Sequence, residues 1–280
     1  MAAPGMSAAG PSQERALRSA SGPSAAAANV GVVRVAIIIV LLVAWEALAR
    51  SGILFRDVVP TLGAIAHALG ALLVQPDFYA NLGWTAGEIA LALLIGGVSG
   101  LLVGIVLGGS RFLSRAYEPF LYYLGPTPKI IFFPVMIMWF GVGPTSKVAL
   151  GALSCFFPVA LSTAAGMRQI DAVLIRVGRS FRATTSQMVM KIYLPAMREP
   201  IVNGVRLGLG VAVIATLLAE TKLSNRGIGY LIIQAYSTFD MPRMYAVLIA
   251  LFALAIAANA LIGRFSTYHV SRSRQEAISR

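Results

Sequence analysis

Apolar residues fall in long unbroken runs along this chain, not in the short alternation of half-buried strands. A helix crossing about 30 Å of hydrocarbon needs about 20 mostly apolar residues. Six runs meet or approach that length: 31–50, 85–109, 119–140, 146–166, 201–220 and 244–263. The pattern predicts an all-α integral membrane protein with six transmembrane helices. Residues 53–82 hold no complete run, but Leu62 to Val74, following Pro60, has helical amphipathicity and is expected at the membrane interface or against the bundle. The longest internal connection is 167–200. There Val173, Leu174, Val177 and Phe181 recur at helical spacing, and so do Met188, Val189, Ile192 and Tyr193. Two short amphipathic helices are expected, separated near Thr184 and Thr185, with Pro195 and Pro200 marking the approach to the fifth span.

Residues 1–29 are rich in Ala, Ser, Gly and Pro. They are expected to form a disordered tail, because that composition cannot bury a core. The run Ala25 to Ala28 precedes the first apolar stretch instead of following it, so an uncleaved first span is expected and not a signal peptide. The expected organisation is a tail over 1–29, a six-span domain over 30–266 and a second tail over 267–280.

Composition narrows the class further. Hydrophobic residues make up 58% of the chain and charged residues 12%, the latter about half the share usual in soluble domains. With mean hydropathy at +0.78, a large soluble helical domain is excluded. The net charge of +12 is spread between the apolar runs instead of forming one face, which suits loops beside anionic lipid and not nucleic acid. Counted by side, 15 Lys and Arg residues fall on one side and 6 on the other, with Lys129 and Arg206 inside spans. The positive-inside rule then places both termini in the cytoplasm, along with the 167–200 loop.

Little in the chain suggests chemistry. Cys155 is the only cysteine, so no intrachain disulfide or thiolate metal cluster can form. The run Gly141 to Lys147 fails as a phosphate loop, since Ser146 precedes the lysine and Val148 follows it. No catalytic centre, metal site or cofactor is expected. Gly96, Gly100, Gly104 and Gly108 lie along one helix face, and Gly204 and Gly208 repeat the interval, which is a packing device of membrane helices. Pro126, Pro128 and Pro134 should kink or interrupt the third span. Lys129 between them either meets an anionic substrate or reaches back to the cytoplasmic surface. Glu46, Glu88 and Glu220 lie in or beside spans. Glu220 either serves an outward gate or pairs with Lys222 or Arg226. Arg206 is expected to reach the cytoplasmic headgroups.

Three stretches carry a resemblance that covers Pro60 to about Arg264. They are Pro128-Lys-Ile-Ile-Phe-Phe-Pro134 running into Trp139-Phe-Gly141; Arg179-Ser-Phe181 through Ile192-Tyr-Leu-Pro195 to Gly204-Val-Arg206; and Glu220 followed by Gly227-Ile-Gly-Tyr230. Together they resemble the permease subunit of binding-protein-dependent ABC importers, in the nitrate, sulfonate and taurine branch. The resemblance implies a type I (MetI-like) bundle in a bacterial inner membrane. It further implies cytoplasmic ATP-binding subunits, an extracytoplasmic substrate-binding protein and pairing of two permeases, plausibly identical. In the family, the cytoplasmic loop forms short helices that dock on the ATPase, with the motif E-A-A-x-x-x-G followed by I-x-L-P. Here Arg176 stands for the Glu, Val177 and Gly178 for the alanines, and Arg182 for the Gly, while Leu194 and Pro195 are intact. Arg at the glycine position opposes a tight turn, and Arg176 reverses the charge offered to the partner. Compensating acidic residues on that partner, or degenerate coupling, would each account for this. Glu88 is a further departure, since relatives often place Arg near it.

The expected function is therefore the membrane pathway of an ATP-driven importer for a small anion such as a sulfonate or nitrate, with no chemistry performed by this chain. The coupling candidates are Arg176, Arg179, Phe181, Arg182, Leu194 and Pro195, within coupling helices at 170–195. The pathway or gate candidates are Lys129, Met136 and Glu220. The alternative is a self-contained secondary carrier or channel, which would be expected to carry mid-membrane ionisable groups or an internal repeat.

Overall fold

The structure, a computed structural model, describes residues 25–52 and 58–278, with side chains from 30 to 52 and 58 to 260. Most of the expected tail over 1–29 lies outside the described residues. Every regular element among the described residues is a helix. The chain divides into two compact units, one up to Gly63 and one from Ala64 onward.

The first unit is built on α1 (Ala25–Ser51). Its apolar side chains from Val30 to Val43 are exposed, as a helix meeting hydrocarbon requires. The segment after it is pinned by two bonds. Trp45 donates its indole N–H to the Pro60 carbonyl at 3.1 Å, and Glu46 accepts the Leu62 N–H at 2.9 Å while pairing with Arg50 at 2.7 Å.

In the second unit, α2 (Leu62–Val74) matches the expected amphipathic stretch and packs on the bundle. Its Leu72 joins Phe78, Ile228, Leu231, Ala246 and Val247 in one core cluster. Next, α3 (Pro76–Gly109) starts well before the apolar run at 85. Pro76 at its first turn needs no N–H partner, and Asp77 favours the positive end of the helix dipole. Then α4 (Arg111–Leu124), a 3-10 turn (Lys129–Phe132) and α5 (Phe133–Phe140) form the expected third span, bent by 92°. The break falls at Gly125-Pro-Thr-Pro128, where two prolines remove two backbone donors in three residues.

The central helix is α6 (Pro144–Arg168), the most buried of the spans. It runs parallel to α3, and the glycine ladder is the reason for their closeness. An added Cβ at Gly100 would sit 2.7 Å from the Phe156 carbonyl, and at Gly104 it would sit 2.5 Å from Thr163 Cβ. On its other side α6 meets α10 (Arg198–Lys222) in antiparallel fashion. There Gly208 faces Cys155 and Gly204 faces Ser162. Finally, α11 (Ile228–Ser237) and α12 (Met241–Ile278) close the bundle. The α12 backbone continues helical through most of the expected tail at 267–280. Among the described residues five helices are long and apolar enough to cross a membrane, and the six that the sequence predicts are reached when the bent pair is counted as one span.

Candidate functional site

Three local constructions stand out, distributed along α6 and α10. At one end, between the last residue of α6 and the first of α10, lies the long loop that the sequence singles out. Asp171 caps α7 (Ala172–Ser180) by accepting the Val173 N–H at 2.8 Å. The helix ends in a Schellman motif. Ala183 N–H donates to the Gly178 carbonyl at 3.1 Å, and Arg182 N–H donates to the Arg179 carbonyl at 2.9 Å. The motif needs a left-handed residue, and Arg182 takes that role at φ 50°. The expected obstacle at the glycine position is therefore met by strain in an arginine, and the tight turn forms. Thr184 and Gln187 then make a reciprocal capping box at the start of α8 (Thr185–Met188).

Pro195 shapes the second half of the loop. Lacking an N–H, it cannot close the helical bond to residue 191. The chain widens into a π turn (Val189–Tyr193), with Leu194 N–H donating to Val189, before α9 (Leu194–Ala196). Gly178 lets the two short helices touch, since a Cβ there would collide with Ile192 and Met188. The outcome is a folded loop with one apolar stripe in the open: Val173, Leu174, Val177 and Phe181, the last 83% exposed. Arg176, Arg179, Arg182 and Pro195 are exposed around it, and Leu194 is half-buried.

At the opposite end of α6 and α10 sits a buried polar cluster. Glu220 is fully buried near the end of α10. Its Oε1 accepts the Thr85 hydroxyl at 2.7 Å, and its Oε2 accepts the Gly229 N–H at 2.7 Å. Thr85 in turn accepts the Ile228 N–H at 2.8 Å, and Asn81 accepts the Gly227 N–H at 2.7 Å. The first N–H groups of α11 are thus satisfied from α3 and α10, in place of a local cap. The expected pairing of Glu220 with Lys222 or Arg226 does not occur. Arg226 instead lies 5.0 Å over the Trp84 ring.

Lys147, which reads in the sequence as an external loop residue, is 4% exposed in this cluster. Its ammonium contacts Glu88 at 3.4 Å and donates to Ser224 at 2.6 Å. Glu88 is thereby matched by a cation arriving from α6. The only signal for Lys147 in the sequence is its place one turn into an apolar helix.

Between these ends lies a cavity of about 590 Å³ at the elbow of the bent span. Tyr122 and the Gly125-Pro-Thr-Pro-Lys129 break form one wall; Phe157 and Leu161 of α6 and Ile214 and Leu218 of α10 form others. Lys129 is half-buried, donates to the Gly125 carbonyl, and lies 4.7 Å from the centre of the Phe157 ring. That places it halfway along α6 and away from the helix ends, so the reach to a membrane surface is not made. Met136 does not line the cavity. It packs with Phe133, Leu150, Ala215 and Ala219 behind it.

Residues 96–275 match the family described as the binding-protein-dependent transport system inner membrane component. The chain belongs to that family. It is 32% identical over 207 residues to an aliphatic sulfonates transport permease protein of Bacillus subtilis, covering 74% of this chain and 75% of that one. It is 31% identical over 218 residues to the taurine transport system permease protein of Escherichia coli, covering 76% and 78%. Among solved structures, the fold is similar to a chain of the MetNI methionine ABC transporter in an inward-facing conformation. The TM-score is 0.61 at 22% identity, over 71% of this chain and 96% of that one. The chain is thus a multi-pass inner-membrane permease of the ABC importer class, and not a self-contained carrier or channel. As a permease it has the type I, MetI-like helical fold.

Proposed function

We propose that two copies of this permease enclose a pathway for a small anion, such as a sulfonate or nitrate, moved inward at the expense of ATP. An extracytoplasmic binding protein delivers the substrate, and two cytoplasmic ATPase subunits dock on residues 170–195. Hydrolysis takes place on those subunits, and this chain transmits the motion without bond chemistry of its own. Both termini lie in the cytoplasm in this reading, as the 15 to 6 distribution of Lys and Arg requires.

The observation that carries the reading is the coupling loop. It is capped at Asp171 and Thr184, turned at Arg182, and still leaves Val173, Leu174, Val177 and Phe181 uncovered. An isolated loop gains nothing from such a stripe, whereas a helix laid in a groove of a partner buries it. Arg176, Arg179 and Arg182 flank the stripe and would meet acidic residues on the ATPase, with Leu194 and Pro195 fixing the second helix behind it. ATPase closure would then rock the bundle between inward and outward access.

The pathway candidates divide by place. Lys129 lines the elbow cavity, while Met136 supports it from the core and Glu220 anchors the end of the bundle away from the loop. The test is co-purification with an ATPase encoded beside this gene. Complex formation is expected for the full chain and loss of it after deletion of 176–193. Transport that persists without ATP and follows a proton gradient would falsify the reading.

A further inference from the structure

The elbow cavity holds an electrostatic imbalance that helix packing alone does not resolve. Lys129 is the one charged residue lining it, and among the described residues no carboxylate forms an ion pair with it. By contrast, the buried Lys147 meets Glu88 at 3.4 Å. An ammonium carries three donors. One of the Lys129 donors goes to the Gly125 carbonyl, and the face of Phe157 supplies a weak second contact. At least one donor remains for a ligand. A half-buried cation with no counter-charge is costly in surroundings of low polarity, and an anion offsets that cost.

The rest of the wall says what kind of anion. Ile130, Phe157, Leu161, Ile214 and Leu218 present carbon to the space. Ser154 turns its hydroxyl back to the Leu150 carbonyl at 2.9 Å and offers little to a second polar group. A small inorganic oxyanion would pair with Lys129 and leave most of this wall facing water. An anion with an alkyl body would pair with Lys129 and cover the wall as well, adding about 25 cal/mol for each Å² of apolar surface removed from water. The volume, about 590 Å³, falls in the range of small-molecule sites.

We propose that the elbow cavity is a binding site for a small organic anion with an apolar body, its charged head on Lys129 and its body against Phe157, Leu161 and Ile214. The site rests on the pathway reading above and deepens it, by favouring alkyl anions over bare oxyanions. Lys129 is the specificity-determining charge, and the apolar wall sets a preference for chain length.

The test uses the permease with its ATPase in nanodiscs of neutral lipid, with butanesulfonate, nitrate and butylammonium as probes. Saturable binding of butanesulfonate, at least tenfold tighter than nitrate and absent for butylammonium, is expected. K129M should lose it, and K129R should retain part. I214W fills the cavity from an exposed position without touching Lys129, so it should weaken butanesulfonate while leaving the elution profile unchanged. Binding that K129M and I214W both leave intact overturns the site, and so does equal affinity for nitrate and butanesulfonate. Displacement of butanesulfonate by phosphatidylglycerol added to the discs assigns the cavity to lipid and also overturns it. ATP-dependent uptake by the same complex in proteoliposomes with its binding protein, measured in parallel, separates the two claims. Its absence counts against the importer reading, whereas its presence with unaltered K129M uptake and binding counts against the site alone.

Discussion

Glu220 and Thr85, 135 residues apart, share a 2.7 Å hydrogen bond that is fully buried. Through it α10 is fastened to α3, and Glu220 also holds the Gly229 N–H at the start of α11. Glu220, a gate candidate, thus joins three helices. Replacing it with alanine strands two buried donors, each worth about 1–3 kcal/mol when left unpaired. E220A is expected to lower the melting temperature of the detergent-solubilised permease sharply. E220Q keeps an acceptor for one donor and should lie between the two. Equal melting of wild type and E220A would show that the joint carries no load.

Lys147 and Glu88 should behave as a pair. K147M leaves the Glu88 carboxylate buried without its cation, and breaking a buried pair from one side costs about 3–5 kcal/mol. E88Q added to K147M removes the stranded charge, and most of the loss is expected to return. A double-mutant cycle on thermal unfolding measures the coupling. Additive losses would mean the two residues do not sense each other.

Arg182 makes, at a cost in strain, a turn that suits glycine. Its left-handed φ of 50° costs about 1–2 kcal/mol in a non-glycine residue. R182G is therefore expected to stabilise the loop by about 1 kcal/mol, seen as slower proteolysis at the loop, and R182V to weaken it. If R182G instead loosens the loop, the arginine side chain contributes more than its backbone costs.

The glycine ladder predicts a severe substitution. At Gly104 an added Cβ would lie 2.5 Å from Thr163 Cβ and 2.7 Å from the Ala160 carbonyl, so α3 and α6 cannot both stay in place. G104L should cost more than the roughly 1–3 kcal/mol of ordinary overpacking, and little folded protein is expected by size-exclusion chromatography. Gly97, one residue on from the ladder, has nothing within 4 Å of an added Cβ, so G97A should be tolerated.

Much of this architecture is legible in the sequence because hydrocarbon is a simple solvent. Apolar runs located the crossings, though α3 begins nine residues before its run and α12 continues past its own, and the proline triplet around Lys129 located the break. The loop helices followed from the spacing of Val173, Leu174, Val177 and Phe181. What escaped was polar and long-range. Asn81 lies ahead of the second run and Thr85 opens it, yet both belong to α3 and satisfy the first turn of α11. Lys147 looks like an external loop residue until the parallel approach of α3 and α6 brings Glu88 beside it. The depth of Lys129 depends on a 92° bend, and residue counting along a straight helix places it too near a surface. In each case the deciding partner lies on another helix, where a single-sequence pattern carries no signal.

The central claim is that the exposed stripe of the coupling loop transmits ATP-driven motion to the bundle. The most direct measurement is uptake into proteoliposomes containing the permease, its ATPase and its binding protein, with F181D compared to wild type. Phe181 is 83% exposed, so the substitution leaves the fold of the chain alone. ATP-dependent uptake by the wild type, with loss of both uptake and ATPase co-purification in F181D, is the predicted result. Undiminished ATP-dependent uptake in F181D would contradict it.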